Sequence, residues 1–221
     1  MGAVTVNTST PAGFDQLANI RTDCYVLLAS LLAKQPSEEL RDILQKLQWD
    51  EAIPGDLNQA LTALRQAAHD YSLAAMKEEF DRLFVGLGCG EAIPYASWYR
   101  EKMIQGLPLV PLRSDLISLG IVRQTDNHEP EDHAAALCEV MAMISREGSG
   151  SNIATQAGFF QQHIAPWMGI FFQDLQSARS AAFYRAVGLF GSRFLAFEAG
   201  PLKCNLSLAP NRTDKKRRRK L

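Results

Sequence analysis

The sequence predicts an all-α fold built as a single-domain helical bundle. Apolar residues recur at three- and four-residue spacing along almost the whole chain, which is the pattern of helices that bury one face. Alternating runs rich in valine, isoleucine and threonine, which are typical of strands, are nearly absent. Because 47% of the 221 residues are hydrophobic, the chain has enough apolar surface to form a core of its own.

Four helices are predicted in the first 90 residues. Three of them follow residue pairs that suit the start of a helix, namely Thr10-Pro11, Pro36-Ser37 and Pro54-Gly55. The second helix is expected to end near Trp49, and a glycine run at residues 86–90 ends the fourth. The residues expected to face the core include Phe14, Leu17, Ile20, Leu57, Leu61, Leu64, Met76, Phe80 and Leu83.

The rest of the chain is predicted to be helical between three irregular segments. These are a loop at residues 89–97, a polar turn at residues 122–130 and a Gly-Ser run at residues 148–152. Further helices follow each of them, with a break at Pro166. The predicted organisation is a flexible amino terminus (1–10), an all-helical domain (11–200) and a basic, disordered tail (201–221).

The charge of the chain is unevenly distributed. Six of its 23 basic residues form one run, Lys215 to Lys220. Without this run, 17 basic residues face 24 acidic ones, so the body carries a formal charge of −7. An acidic body argues against specific nucleic-acid binding by the folded part and is compatible with attraction for a cationic peptide.

Other features of the sequence predict a cytoplasmic protein. No stretch approaches the roughly 20 apolar residues that a membrane span needs, and the first residues lack the basic and apolar regions of a secretory signal. The four cysteines lie far apart with no CxxC pair, so reduced and mostly buried thiols are expected.

The segment His128-Glu129-Pro130-Glu131-Asp132-His133 gathers two imidazoles and three carboxylates within six positions. It could bind a metal, although Pro130 lies between the histidines and interrupts the usual helical spacing of zinc ligands. It could serve acid/base chemistry, although no nucleophile motif accompanies it. It could simply cap the helix that follows. It could also recognise a basic, apolar peptide through its carboxylates.

A second cluster, residues 91–99 (EAIPYASWY), places three aromatic rings and a carboxylate in or beside a loop. Aromatic side chains in such a position suit the wall of a binding site. The same rings could equally cover the core beneath the loop. The sequence by itself leaves both interpretations open.

Five segments together resemble the TorD/DmsD/NarJ family of redox-enzyme maturation chaperones. They are EEFDRLFVG (78–86), EAIPYASWY (91–99), DLISLGI (115–121), NHEPEDHAAALCEVM (127–141), and HIAPWMGIFFQDL followed by AFYRAVGLF (163–175 and 182–190). Their order and approximate separation match the family pattern, and the resemblance covers residues 75–198 well. A Glu-Pro-x-Asp-His element with an upstream Pro-Tyr-x-Ser-x-Tyr element is fairly specific as a combination.

The resemblance implies an all-α chaperone of the TorD/DmsD type that catalyses no reaction and needs no cofactor or metal. Family members bind the twin-arginine leader, and often the body, of a molybdoenzyme precursor and delay its export until the molybdenum cofactor is inserted. The implied partner is thus a precursor of a molybdenum-containing oxidoreductase. Relatives exchange helices between subunits, so residues 122–130 or 148–152 could act as a hinge in a homodimer.

The peptide-binding positions of the family fall on two sets of residues here: Tyr95, Ser97, Trp98 and Tyr99, and Glu129, Pro130, Asp132 and His133. Trp98 occupies a position that varies in the family. We expect Glu129 and Asp132 to bind guanidinium groups and His133 to orient Asp132, while the aromatic rings contact the leader's apolar stretch. The alternative from another class is a small metal-dependent hydrolase that uses His128, Asp132 and His133.

Overall fold

The computed structural model describes residues 12–49, 53–85, 90–104, 107–122, 129–146 and 153–206. Within these ranges the chain forms ten α-helices and no strand, so the predicted all-α fold is confirmed. The α-helices are α1 (Ala12–Ala33), α2 (Glu38–Gln45), α3 (Gly55–Asp70), α4 (Leu73–Phe80), α5 (Ala96–Glu101), α6 (Leu109–Ser118), α7 (Ala134–Arg146), α8 (Ile153–Phe159), α9 (Met168–Ser177) and α10 (Phe183–Leu206). π-helical turns at Asp81–Val85 and Phe160–Ile164 continue α4 and α8.

Local sequence signals account for several of the helix boundaries. The hydroxyl groups of Ser37 and Ser72 accept hydrogen bonds from backbone N–H groups in the first turns of α2 and α4, each at 3.2 Å. Lys102 ends α5 in the left-handed conformation, with φ of 57°. A Cβ atom at Gly90 would lie 2.3 Å from the carbonyl oxygen of Leu83, so only glycine allows this return of the chain.

In the core, α1 packs mainly against α7 and also contacts α10, and α10 packs in turn against α3, α8 and α9. Arg21 of α1 donates two hydrogen bonds of 2.7 Å to the carboxylate of Glu198 in α10, and both side chains are buried. Near the other end of α1, the Tyr184 hydroxyl donates to the carbonyl of Leu31 at 3.1 Å. These contacts show that α1 and α10 run antiparallel. On its other side, α1 is joined to α7 by the hydroxyl groups of Thr22 and Ser145, 2.7 Å apart.

The carboxyl-terminal boundary of the helical domain differs from the prediction. Helix α10 continues through residues 201–206, which the sequence analysis assigns to the disordered tail. Leu202 is fully buried, and its burial favours continuation of the helix beyond Pro201. The basic run 215–220, the Gly-Ser run 148–152 and most of the polar turn 122–130 lie outside the described residues.

Glu79 holds the beginning of α10 from a distant part of the sequence. Its side chain is buried, and its two oxygens accept hydrogen bonds from the backbone N–H groups of Ala182, Phe183 and Tyr184 at 2.7–3.0 Å. These are first-turn groups that have no partner inside the helix, and the carboxylate also suits the positive end of the helix dipole. Glu79 thereby fixes the start of α10 against α4.

We predict that Glu79→Ala lowers the free energy of unfolding by about 3 kcal/mol, because three buried N–H groups lose their acceptor. The adjacent Glu78 is the matched control, since its side chain is 66% exposed and pairs only with Arg82 on the surface. Glu78→Ala is expected to cost less than about 1 kcal/mol. Urea unfolding followed by circular dichroism measures both changes, and equal losses in the two variants would contradict this role of Glu79.

Candidate functional site

The two sequence clusters lie side by side in the structure. An isolated antiparallel bridge joins Tyr95 to His133. Its hydrogen bonds run from the N–H of Ala96 to the carbonyl of Asp132 at 3.1 Å, and from the N–H of Ala134 to the carbonyl of Pro94 at 2.8 Å. Since α5 and α7 begin immediately after the bridge, the pairing aligns the amino-terminal ends of both helices.

Asp132 anchors this pairing and is not a surface carboxylate. Its side chain is 1% exposed, and its Oδ2 accepts a 2.7 Å hydrogen bond from the backbone N–H of Ser97, in the first turn of α5. Its Oδ1 is also buried and has no partner among the described residues. Ser97 itself is fully buried. Asp132 therefore holds the two segments together rather than offering a charge to solvent.

His133 is held as a neutral ring. Its Nδ1 accepts a 3.1 Å hydrogen bond from the N–H of Ala135, whereas the sequence analysis expects a contact with Asp132. Burial lowers the pKa of His133 to about 4, so the ring is neutral at pH 7. Because Nδ1 accepts a hydrogen bond, the single ring proton resides on Nε2. The ring of Tyr95 packs edge-on against this imidazole, with 5.0 Å between the ring centres.

The remaining two carboxylates of the cluster each contact a neighbouring side chain. The hydroxyl of Tyr95 donates a hydrogen bond to Glu129, which is exposed. Partial burial, and secondarily the nearby charge of Asp132, raises the pKa of Glu129. Glu131 forms a two-pronged ion pair with Arg113 of α6, with distances of 3.0 and 2.9 Å. Pro130, between Glu129 and Glu131 in the sequence, is half-buried.

These residues border a groove of about 600 Å³ between α6, α7 and the end of α1, which we call the acidic groove. It contains three carboxylates, Glu129, Glu131 and Glu139, together with His133, and among the described residues no lysine or arginine lines it. The remaining lining residues are Ala33, Leu116, Gly120, Ile121, Val122, Pro130, Ala135, Ala136, Val140 and Met143. The groove thus combines negative charge with apolar walls.

Comparison with known proteins identifies the family. The family model described as nitrate reductase delta subunit matches residues 50–173, more than half of the chain. The chain belongs to this family. It is therefore a member of the TorD/DmsD/NarJ group of maturation chaperones, as the sequence predicts, and it is a chaperone rather than an enzyme.

Similar proteins support this family at the level of sequence and fold. Chaperone protein TorD from Vibrio cholerae is 25% identical over 195 residues, covering 79% of this chain and 88% of its own length. Tat proofreading chaperone DmsD from Salmonella typhi is 26% identical over 176 residues, covering 77% and 84%. The crystal structure of a redox enzyme maturation protein from Archaeoglobus fulgidus shares the fold, with a TM-score of 0.51 and 18% identity over 81% and 93% of the two chains.

The aromatic residues of this maturation chaperone do not form one wall with the carboxylates. Tyr99 packs against Trp167 at 5.5 Å between ring centres, and its hydroxyl donates to Asp174 at 2.9 Å. Trp98 packs under the ammonium group of Lys102. Neither ring lines the acidic groove. Only Tyr95 of the three predicted aromatic residues contacts the acidic cluster.

Glu139 is a groove residue that the sequence analysis missed. It lies on α7 and forms no hydrogen bond or ion pair with any other described residue, and partial burial raises its pKa. The sequence does mark this residue, because Glu139 is the one charged residue between Ala134 and Ser145 of a strongly apolar helix. Such a charge on an otherwise core-facing helix marks the side that faces solvent.

Among the described residues there is no group of three histidine, cysteine or acidic side chains arranged to hold a metal ion. His128, which the hydrolase alternative requires, lies outside the described residues. The carboxylate of Asp132 and the ring of His133 each accept a hydrogen bond from a nearby backbone N–H group. Because the relatives are chaperones, the hydrolase alternative is not retained. None of the described helices is both long enough and apolar enough to cross a membrane.

We predict a pH dependence of stability that originates at His133. The pKa in the folded state lies below the ordinary value of 6.5, so between about pH 4 and 6.5 the unfolded chain binds the proton more readily. The free energy of unfolding should therefore rise with pH through this window, by at most roughly 3 kcal/mol from this residue. In His133→Gln this part of the slope should disappear.

Urea unfolding at several pH values between 4 and 7 measures this slope. The exposed His69 provides the control, because His69→Gln should keep the slope of the parent chain. An unchanged slope in His133→Gln would show that the ring is not held neutral by burial.

Proposed function

We propose that this chain is a cytoplasmic chaperone that binds the twin-arginine leader of a molybdoenzyme precursor and holds the precursor for cofactor insertion before export. The acidic groove carries this proposal, because its three carboxylates stand among apolar side chains, and none of the described residues that line it is a lysine or arginine. A leader has two adjacent arginines beside an apolar stretch, and this lining is complementary to both. The name of the Salmonella relative, a Tat proofreading chaperone, supports the same class of partner.

The arginine pair is assigned to Glu129 and Glu139. Glu139 has no cationic partner among the described residues, whereas Glu131 already pairs with Arg113. Guanidinium groups form charge-assisted, often two-pronged hydrogen bonds with carboxylates. His133 lines the same groove, and the Nε2–H of its neutral ring would suit a backbone carbonyl of the bound peptide. Asp132 contributes indirectly, by positioning His133 and Glu129.

The apolar stretch of the leader is assigned to the continuation of the groove. A second groove of about 650 Å³ beside α1 and α2 shares Ala33, Glu139 and Met143 with the acidic groove. It shares Val26, Ser30, Leu40 and Ile43 with an apolar groove of about 430 Å³ between α1, α2 and α3. Apolar side chains of this last groove include Ile20, Leu27, Leu40, Ile43, Leu47, Trp49 and Leu61. The assigned path therefore runs from the carboxylates, past Lys34 and Arg146 in the second groove, to the apolar walls.

The body of the precursor is assigned to the exposed side of α6. Val110 and Ile117 project from α6, which also forms one wall of the acidic groove, and Leu107 lies in the turn just before it; the three side chains are 67%, 77% and 77% exposed. A cluster of large apolar side chains in solvent is typical of a protein contact. The competing occupant of this surface is a second copy of this chain, as in a helix-exchanged homodimer. Light scattering of the purified chain distinguishes a dimer from a monomer whose surface is open to the precursor.

We predict that Glu139→Gln weakens binding of a twin-arginine leader peptide by about three- to tenfold, since one partly exposed charge contact is lost. Glu129→Gln should act similarly, and the double variant should bind more weakly than either. The peptide comes from a molybdoenzyme precursor encoded in the same genome and carries a fluorescent label for anisotropy measurements. Salt should weaken binding to the parent chain, because the contacts are partly exposed.

Two controls make the measurement specific. Glu78→Gln removes an exposed carboxylate that does not line the groove, and it should leave the affinity unchanged. A leader with both arginines replaced by lysine should bind the parent chain more weakly, because lysine cannot form the two-pronged contact. Equal binding by the parent and the double variant would refute the assigned site. Capture of precursors from host cytosol with the parent chain, lost in the double variant, would identify the client.

A further inference from the structure

The basic run Lys215–Lys220 is the one sequence motif that the proposed function does not use. It places six cationic residues, three of them consecutive arginines, on a chain whose remaining residues carry a formal charge of −7. We infer that this run binds the acidic groove of its own chain and competes there with the leader. The inference rests on the proposed function only for the identity of the competitor, since the groove and the run belong to this chain alone.

The chemistry of the groove matches the run. Glu129 and Glu139 can each receive a guanidinium group, and the run offers Arg217, Arg218 and Arg219. His133, which is more than nine-tenths buried, also lines the groove, and the Nε2–H of its neutral ring has no hydrogen-bond partner among the described residues. A backbone carbonyl of an extended basic segment would satisfy that donor. Carboxylates and a neutral donor together therefore suit an arginine-rich peptide.

The run is also long enough to reach the groove. Arg21 of α1 and Glu198 of α10 lie side by side, and the two helices are antiparallel. Leu206, at the end of α10, lies eight residues from this point in one direction. Ala33, at the end of α1, lies twelve residues from it in the opposite direction. Ala33 lines the acidic groove. At 1.5 Å per residue these twenty residues correspond to about 30 Å along the helix axes. The eleven residues from Leu206 to Arg217 span up to roughly 36–40 Å when extended.

Attachment to the same chain makes this contact effective without high intrinsic affinity. A tethered segment meets its site in an intramolecular step, so its effective concentration does not depend on the concentration of the protein. The run has no apolar stretch, so it would occupy only the acidic end of the path. A leader contacts both the acidic and the apolar ends and can displace the run. A short basic peptide without an apolar stretch would compete less well, and the run therefore adds selectivity.

The test uses the full-length chain with a triple substitution, Arg217→Gln, Arg218→Gln and Arg219→Gln. The labelled leader peptide should bind this variant about fivefold more tightly than the parent chain at low salt. The matched control replaces the same three residues by lysine, which keeps the charge and should give an intermediate affinity. In a Glu139→Gln background the triple glutamine substitution should raise the affinity for the leader by a smaller factor. The reason is that the run and Glu139 are expected to contact each other, so the two effects do not add.

A direct readout does not depend on the leader. A carbodiimide joins a lysine amine to a carboxylate only where the two are in contact. Linked peptides that connect Lys215, Lys216 or Lys220 to Glu129 or Glu139 are expected in the parent chain, at a yield that does not change on dilution. Glu139→Gln should reduce the yield, while Glu78→Gln should not.

The other outcomes separate a failure of this inference from a failure of the proposed function. If the triple glutamine variant binds the leader like the parent chain and no such links form, the run does not occupy the groove, and the proposed function stands. If links form only at high protein concentration, the run binds a second copy and not its own chain. If the links form but no leader binds any variant, the proposed function fails while the intramolecular contact is retained.

Discussion

The backbone pairing of residues 94–97 with residues 132–134 is the constraint on which the candidate site depends. It joins two segments about 35 residues apart in the sequence, and α5 and α7 both start from it. Asp132 makes the pairing specific, because its carboxylate accepts a hydrogen bond from the N–H of Ser97. This N–H group lies in the first turn of α5 and has no partner inside the helix. The position of Tyr95, Glu129 and His133 relative to one another follows from this contact.

Under the proposed function the same six-residue cluster serves both structure and recognition, and burial separates the two roles. Asp132 and His133 lie inside and bind backbone groups, so their substitution affects the local fold first. Glu129 is exposed and contacts Tyr95, while the largely covered Glu131 pairs with Arg113. A buried carboxylate in this setting is costly to leave without hydrogen bonds, which explains why Asp132 is tied to the backbone rather than presented to a ligand.

Partly exposed carboxylates are suited to a chaperone that must release its client. Ion pairs at the surface contribute only modestly and are screened by salt, so they give specificity for arginine without very tight binding. The apolar groove between α1, α2 and α3 can supply further affinity for a segment that follows the arginines. The division between an acidic end and an apolar end allows a precursor to be recognised by two features at once.

The sequence by itself determined the helical fold class, most helix boundaries and the family, because apolar periodicity, prolines, glycines and linear motifs are local properties. It also identified both clusters of the site, and the structure brings Tyr95, Glu129 and His133 together. Only the tertiary structure decided that Asp132 points inward, that Trp98 and Tyr99 lie away from the groove, and that Glu139 belongs to it. The direction in which a side chain points depends on how distant helices pack against each other. Leu202 and Glu79 illustrate the same limit, since the first extends α10 and the second caps it through contacts that no local pattern contains.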